Sequence, residues 1–324
     1  MSTFIIAEAG ANHNRNFTQA LKLIDAAKES GADAVKFQTY SSETLYSKNT
    51  PDFAGYKNIN KLIKDIELPR EWQKPLKQYC DEEGIEFMST PFDEQAVDEL
   101  VNLGVKRLKI AGFESTDPRF VEMVASTGLP IIMSIGIGFK WNYWGLYIDI
   151  FEKYNNDVTL LHCNNAYPTP PEDVFLDTIN SMSYDHRYKT GFSDHTMSPY
   201  TPSLAVAAGA TVIEKHFTLD RNLPGPDHPF ALEPDELKIM VEQIRYAERC
   251  KGSKNGFSKS EEKFKTAMRS IVAKKPIKKG EIFTEDNLTT KRPFLEGNVA
   301  ALDWGHTLGK ISDRDYNEDD FIRW

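Results

Sequence analysis

The chain has 324 residues, 27% charged and 40% hydrophobic, with a formal net charge of -9, a pI near 5.4 and a mean hydropathy of -0.48. The acidic balance argues against nucleic acid or an anionic membrane surface as the main partner, and no apolar run approaches the roughly 20 residues that a membrane helix needs. The N-terminus carries no basic stretch followed by an apolar one. The cysteines, Cys80, Cys163 and Cys250, are odd in number and lack metal-like spacing, so a cytoplasmic protein with free thiols is expected. The length suits a barrel of about 250 residues plus a small second domain.

Taken in order, residues 3–8 form an apolar run ending in an acid, and from Phe17 the positions Phe17, Ala20, Leu21, Ile24 and Ala27 recur at helical spacing. Ala34–Thr39 predicts a second strand, followed by a long polar excursion from Ser41 to about Leu68 and a helix over 69–83. Further strands are predicted at 85–90, 107–110, 130–134 and 158–163, and the aromatics Trp141, Tyr143, Trp144, Tyr147 and Phe151 read as the core face of a helix over 139–154. Two more strands end in His195 and His216. Eight strands alternating with helices indicate parallel units closing into a (β/α)8 barrel over 1–250. A helix over 234–250 precedes a Lys-, Ser-, Gly- and Glu-rich linker at 251–263, and short β-like runs at 270–273, 280–283 and 288–293 make 264–324 a small, mainly β domain.

The strand ends share a pattern. In each strand an apolar run gives way to polar residues: Glu8; Lys36 and Gln38; Ser89 and Thr90; Lys109; Ser134; His162, Asn164 and Asn165; Ser193, Asp194 and His195; Glu214 and His216. Barrel enzymes carry their chemistry at that end of the strands. Two lysines inside apolar strands with hydroxyls nearby suit an anion such as a phosphate or carboxylate. Two converging histidines suit a divalent metal set against a carbonyl oxygen, and Glu8 or Glu114 could move a proton. Such a site is equipped for carbon–carbon bond formation.

The runs Ile-Ala-Glu-Ala-Gly-Ala-Asn-His-Asn (6–14), Val-Lys-Phe-Gln-Thr (35–39), Ser-Thr-Pro-Phe-Asp (89–93), Leu-His-Cys-Asn-Asn-Ala-Tyr-Pro (161–168), Ser-Asp-His-Thr (193–196), Glu-Lys-His-Phe-Thr (214–218) and Gly-Pro-Asp-His (225–228) resemble the sialic acid synthases essentially end to end. The tail, with Arg-Ser-Ile-Val-Ala (269–273) and Lys-Arg-Pro (291–293), resembles the antifreeze-like SAF domain of that family, a β-clip fold. The resemblance implies a TIM barrel followed by a SAF domain. It also implies condensation of phosphoenolpyruvate with the aldehyde of an N-acetylated amino sugar, N-acetylmannosamine first. A diacetamido sugar leading to pseudaminic or legionaminic acid is the alternative. By the same resemblance His195 and His216 bind a divalent ion, usually Mn2+, with Mg2+ or Co2+ as substitutes. Thr90, Lys109, Ser134 and Ser193 fall at the phosphate end of phosphoenolpyruvate, and Lys36 and Asn165 at its carboxylate; the hydroxyl of Ser89 is a further substrate-binding candidate. Glu8, Gln38, Tyr167 and Asp227 match sugar-side positions, and Glu114 handles the water or its proton. Arg292 reaches the sugar's N-acyl group across a homodimer whose SAF domains are exchanged.

The chain departs from that family at Gly112, where a serine hydroxyl is usual, at Ile135 in place of threonine, and in Phe-Leu-Glu-Gly-Asn (294–298) after Lys-Arg-Pro. Two further readings stay open on the residues alone: a metal-dependent barrel aldolase or isomerase that does not use phosphoenolpyruvate, and a non-catalytic carbohydrate-binding homologue.

Overall fold

The computed structural model describes residues 2–324 apart from 53, 54, 56, 139–143, 155, 156 and 184–187, and shows two compact units, Met1–Lys251 and Gly252–Trp324. In the first, eight parallel strands alternate with helices: β1 (Phe4–Gly10), α1 (Phe17–Glu29), β2 (Ala34–Thr39), α2 (Ile59–Ile66), α3 (Gln73–Glu83), β3 (Glu86–Pro91), α4 (Glu94–Leu103), β4 (Leu108–Ile110), α5 (Pro118–Ser126), β5 (Ile131–Ile135), α6 (Trp144–Tyr154), β6 (Val158–Cys163), α7 (Asp177–Ser183), β7 (Lys189–Asp194), α8 (Thr201–Ala207), β8 (Val212–His216) and α9 (Pro234–Cys250). The strands pair in the order β3-β2-β1-β8-β7-β6-β5-β4, and β3 and β4 lie side by side, so the sheet is a nearly closed barrel. The expected TIM fold is present.

Local sequence explains the punctuation. The Asn16 side chain accepts from the Gln19 amide (3.1 Å) and Asp93 from Ala96 (2.7 Å), capping α1 and α4. Glu233 and Glu236 form a reciprocal capping box that opens α9. Of the aromatics expected on α6, Tyr147 and Phe151 are buried and Trp144 is partly so, whereas Trp141 and Tyr143 lie outside the described residues.

The excursion after β2 differs from expectation. It contains α2, whose Ile59, Leu62, Ile63 and Ile66 recur at helical spacing and pack with Tyr40, Leu45, Tyr46 and Phe92. Lys61 and Lys64 occupy its exposed face, and it is these charges that made the segment read as polar.

Two layers fill the barrel. Ile6, Ala34, Met88, Ile132, Leu161 and Val212 form an inner apolar cluster. Because successive side chains alternate across a strand, the residue two positions further on points into the same interior, one layer higher. Those residues are Glu8, Lys36, Thr90, Ser134, Cys163 and Glu214. The apolar layer thus serves as the floor on which a polar layer stands.

In the second unit, β9 (Ser270–Ala273) and β10 (Leu288–Lys291) pair antiparallel over a small core of Ile271, Ala273, Ile277, Phe283, Leu288, Val299, Tyr316 and Ile322. The run at 280–283 forms no strand; Ile282 makes only an isolated bridge to Ile311.

Candidate active site

At the carboxyl ends of the strands the polar layer is tied together by charge. Lys36 Nζ lies 2.7 Å from Glu8 Oε2, 2.8 Å from Thr90 Oγ1 and 3.7 Å from Glu214 Oε2. Lys109 Nζ donates to Ser134 Oγ (2.8 Å) and to the Ile110 carbonyl (3.0 Å) and sits 3.6 Å from Glu214 Oε1, to which Ser193 Oγ also donates (3.2 Å). Gln38 Nε2 donates to Glu8 Oε1 at 2.7 Å. Glu214 therefore stands between the two lysines, a role that went unassigned in sequence although the residue was visible as a polar strand end. All of these groups except Gln38 are buried. Burial pushes the Glu8 carboxyl up against the pull of Lys36, and pushes the Lys109 ammonium down. For Glu214 the desolvation is overcome by Lys109 and Lys36, which hold it below the usual carboxylate range.

His195 and His216 stand above this floor with ring centroids 5.5 Å apart. His195 Nδ1 is 2.6 Å from the Asn164 carbonyl; a carbonyl only accepts, so Nδ1 carries the proton and Nε2 keeps its lone pair. His216 Nδ1 is buried with no hydrogen-bond partner among the described residues. Burial lowers both imidazoles, His195 to about 4, and keeps them neutral. Two neutral rings with available lone pairs, one held in its tautomer by the Asn164 carbonyl, fit a divalent metal. Among the described residues no third His, Cys, Asp or Glu completes a protein-only set, so such an ion would keep open positions, as catalytic sites do. Tyr167 lies against His195 with centroids 4.1 Å apart and ring planes tilted by 35°.

The floor cavity is narrow, about 40 Å³. Beside it opens a second cavity of about 520 Å³ that shares Gln38, Tyr167 and His216 and adds Glu114 and Asp227. Asp227 Oδ2 accepts from the Ala11 amide at 3.2 Å. Among the described residues Glu114 Oε2 is buried without a hydrogen-bond partner, and burial raises its carboxyl.

Of the residues singled out in sequence, Glu8, Lys36, Gln38, Thr90, Lys109, Ser134, Asn165, Tyr167, Ser193, His195 and His216 line the floor cavity, and Glu114 and Asp227 the adjoining one. Ser89 lines neither. It alternates with Thr90 on β3 and hydrogen-bonds Thr39 Oγ1 at 2.7 Å on the other side of the sheet, so the structure does not bring it to the cavity. Arg292 belongs to the second unit, where its side chain is exposed. Asn165 is wedged between two strand-end glycines: a Cβ at Gly112 would meet its Nδ2 at 2.8 Å, and one at Gly136 would meet its Oδ1 and the Cys163 carbonyl at 2.5 Å. Its Oδ1 accepts from the Ile137 amide at 3.1 Å.

The sequence profile of the NeuB family matches residues 23–256, and that of the SAF domain matches 268–324. The chain belongs to the NeuB family. Among NeuB relatives, the N,N'-diacetyllegionaminic acid synthase of Campylobacter jejuni subsp. jejuni serotype O:2 is 41% identical over 339 residues, covering 99% of each chain. The pseudaminic acid synthase of Campylobacter jejuni serotype O:23/36 is 36% identical over 328 residues, 99% of this chain and 95% of that one. The crystal structure of the N-acetylneuraminic acid synthetase of Leptospira borgpetersenii superposes with a TM-score of 0.76 at 34% identity, covering 82% of this chain and 90% of that one. NeuB relatives of this kind are nonulosonate synthases, so the chain is an enzyme of the NeuB type.

Proposed function

We propose that the enzyme condenses phosphoenolpyruvate with the open-chain aldehyde of an N-acetylated amino sugar and water, giving a nonulosonic acid and inorganic phosphate. The observation that carries this reading is the pair of buried lysines, joined through Glu214 and fringed by hydroxyls, directly beside two neutral histidines. Lys109, Thr90, Ser134 and Ser193 hold the phosphate, and Lys36 and Asn165 the carboxylate. Charged donors in a buried site bind such an anion far more strongly than they would in water.

His195 and His216 would hold a divalent ion, which when bound would supply polarisation of the aldehyde oxygen. C3 of phosphoenolpyruvate forms the new bond to the aldehyde carbon, whose oxygen takes up a proton and becomes a hydroxyl. Water adds at C2 and gives up a proton, for which Glu114, raised by burial, is the acceptor. The C2–O bond to phosphorus then breaks, leaving the ketone of the product and free phosphate. Gln38 and Glu8 orient the sugar, with Tyr167 and Asp227 opposite. The reading includes a homodimer in which Arg292 of one subunit reaches the N-acyl group of the sugar held by the other.

Phosphate release from phosphoenolpyruvate in the presence of Mn2+ and a panel of N-acetylated amino sugars tests the reading. Release that requires a sugar supports it. Release without sugar, or turnover of the sugar without phosphoenolpyruvate, would point to a different barrel reaction.

A further inference from the structure

The 520 Å³ cavity has two unlike sides. Facing the floor it presents Gln38, Glu114, Tyr167 and Asp227. Across from them stands a wall of Tyr40, Leu45, Leu62, Ile63, Ile66 and Phe92, supplied by α2, the segment leading to it and the end of β3. Among the described residues no lysine or arginine lines this cavity. The cations of α2, Lys61 and Lys64, are exposed on its other face, and Arg15 is occupied by the Lys64 carbonyl (2.8 Å) and Glu67 (3.5 Å).

We propose that α2, together with Tyr40, Leu45 and Phe92, forms the specificity wall for the acceptor, selecting a neutral sugar that presents a deoxy carbon or an acyl methyl to it rather than a hydroxyl or a phosphate. The inference rests on the synthase reading above and refines its sugar. A phosphate against this side would meet Glu114 and Asp227, and none of the cavity's own described side chains is a lysine or arginine that would offset them. A hydroxyl against the wall faces mostly side-chain carbon, the exceptions being the phenols of Tyr46 and of Tyr40, whose hydroxyl lies 3.5 Å from the Ile66 carbonyl. A methyl in the same place gains apolar contact, and one methylene in an apolar pocket changes discrimination by roughly 10- to 200-fold. The cavity's size is in the range of small-ligand sites, roughly 300–1,000 Å³.

The test compares kcat/KM for three acceptor types on the full-length enzyme: N-acetylmannosamine, its C6 phosphate ester, and diacetamido-trideoxyhexoses in both epimeric series. We expect one trideoxy sugar to exceed N-acetylmannosamine by at least about 10-fold and the phosphate ester to give no turnover. Equal or better turnover of N-acetylmannosamine or of its phosphate ester overturns the specificity wall while leaving the synthase reading intact. Silence with every sugar overturns both. Leu62→Asn and, on the loop, Leu45→Asn each place a polar group in the wall. Each should lower the trideoxy preference several-fold through the acceptor KM while the phosphoenolpyruvate KM stays put. An unchanged preference in both variants would also overturn the inference.

Discussion

Asp194 and Lys215 are register partners on β7 and β8 and form an ion pair at 2.8 Å, with side chains 0% and 1% exposed. Lys215 Nζ also donates to the Thr196 carbonyl. Because residues alternate along a strand, this pair faces away from the cavity that Ser193, His195, Glu214 and His216 line. It fixes the strand ends from behind. Lys215→Met leaves a buried carboxylate without its partner, and we expect a loss of about 3–5 kcal/mol in denaturant unfolding. Asp194→Asn combined with Lys215→Met should recover a large part of it. A single variant within about 1 kcal/mol of the parent would contradict this role.

Ser134 connects Lys109 to the cavity through a 2.8 Å hydrogen bond. Ser134→Ala removes one donor from the phosphate end. The expected result is a phosphoenolpyruvate KM raised about fivefold, from a hydrogen bond worth roughly 1 kcal/mol, with the sugar KM unchanged. A rise in the sugar KM alone would place the phosphate elsewhere.

His216→Ala should abolish condensation while circular dichroism and the unfolding midpoint stay close to those of the parent. A chelator should silence the parent enzyme, and added Mn2+ should restore it. Full turnover after exhaustive chelation would remove the metal from the reaction.

His13 is 1% exposed, its Nδ1 accepts from the Arg15 amide at 3.0 Å, and burial, Arg15 and His228 hold its pKa down to about 4. The ordinary value is about 6.5. Between those values the unfolded chain binds a proton that the folded chain does not, so stability falls as pH drops from about 6.5 to about 4. The contribution is about 2 kcal/mol at pH 5 and about 3 at pH 4. In His13→Gln the loss of stability between pH 7 and pH 5 should shrink by that amount. An unchanged pH slope would show that His13 titrates normally.

A Cβ on Gly136 would come within 2.5 Å of the Cys163 carbonyl, a backbone atom that cannot rotate away. Gly136→Ala should therefore cost about 1–3 kcal/mol and raise the phosphoenolpyruvate KM by displacing Asn165. Parent-like stability and KM would mean that β5 and β6 part without cost.

Most of the barrel was legible because its strands are continuous apolar runs broken by polar ends, a signal that survives without tertiary information. Glu8, Lys36, Lys109, Glu214 and both histidines stood out for that reason. Ser89 and Thr90 could not be told apart in sequence, since two adjacent polar residues leave the facing undetermined until the hydrogen bond between Ser89 and Thr39 is seen. The apolar wall was missed although Ile59, Leu62, Ile63 and Ile66 carry helical spacing, because Asn, Lys and Asp fill the positions between them. The 280–283 run shows the reverse error: β-type residues whose backbone finds only a single bridge.

Asn165, held between Gly112 and Gly136, makes two distant stretches of sequence interdependent. A serine introduced at 112 would occupy the space of the Asn165 amide and force it off the Ile137 amide. The change is therefore not a simple gain of one hydroxyl for phosphate. Positions 112 and 165 form an epistatic pair, in which the effect of substituting both departs from the sum of the single effects. Substitution at the fourth strand's end is thus coupled to the loop after the sixth through one side chain.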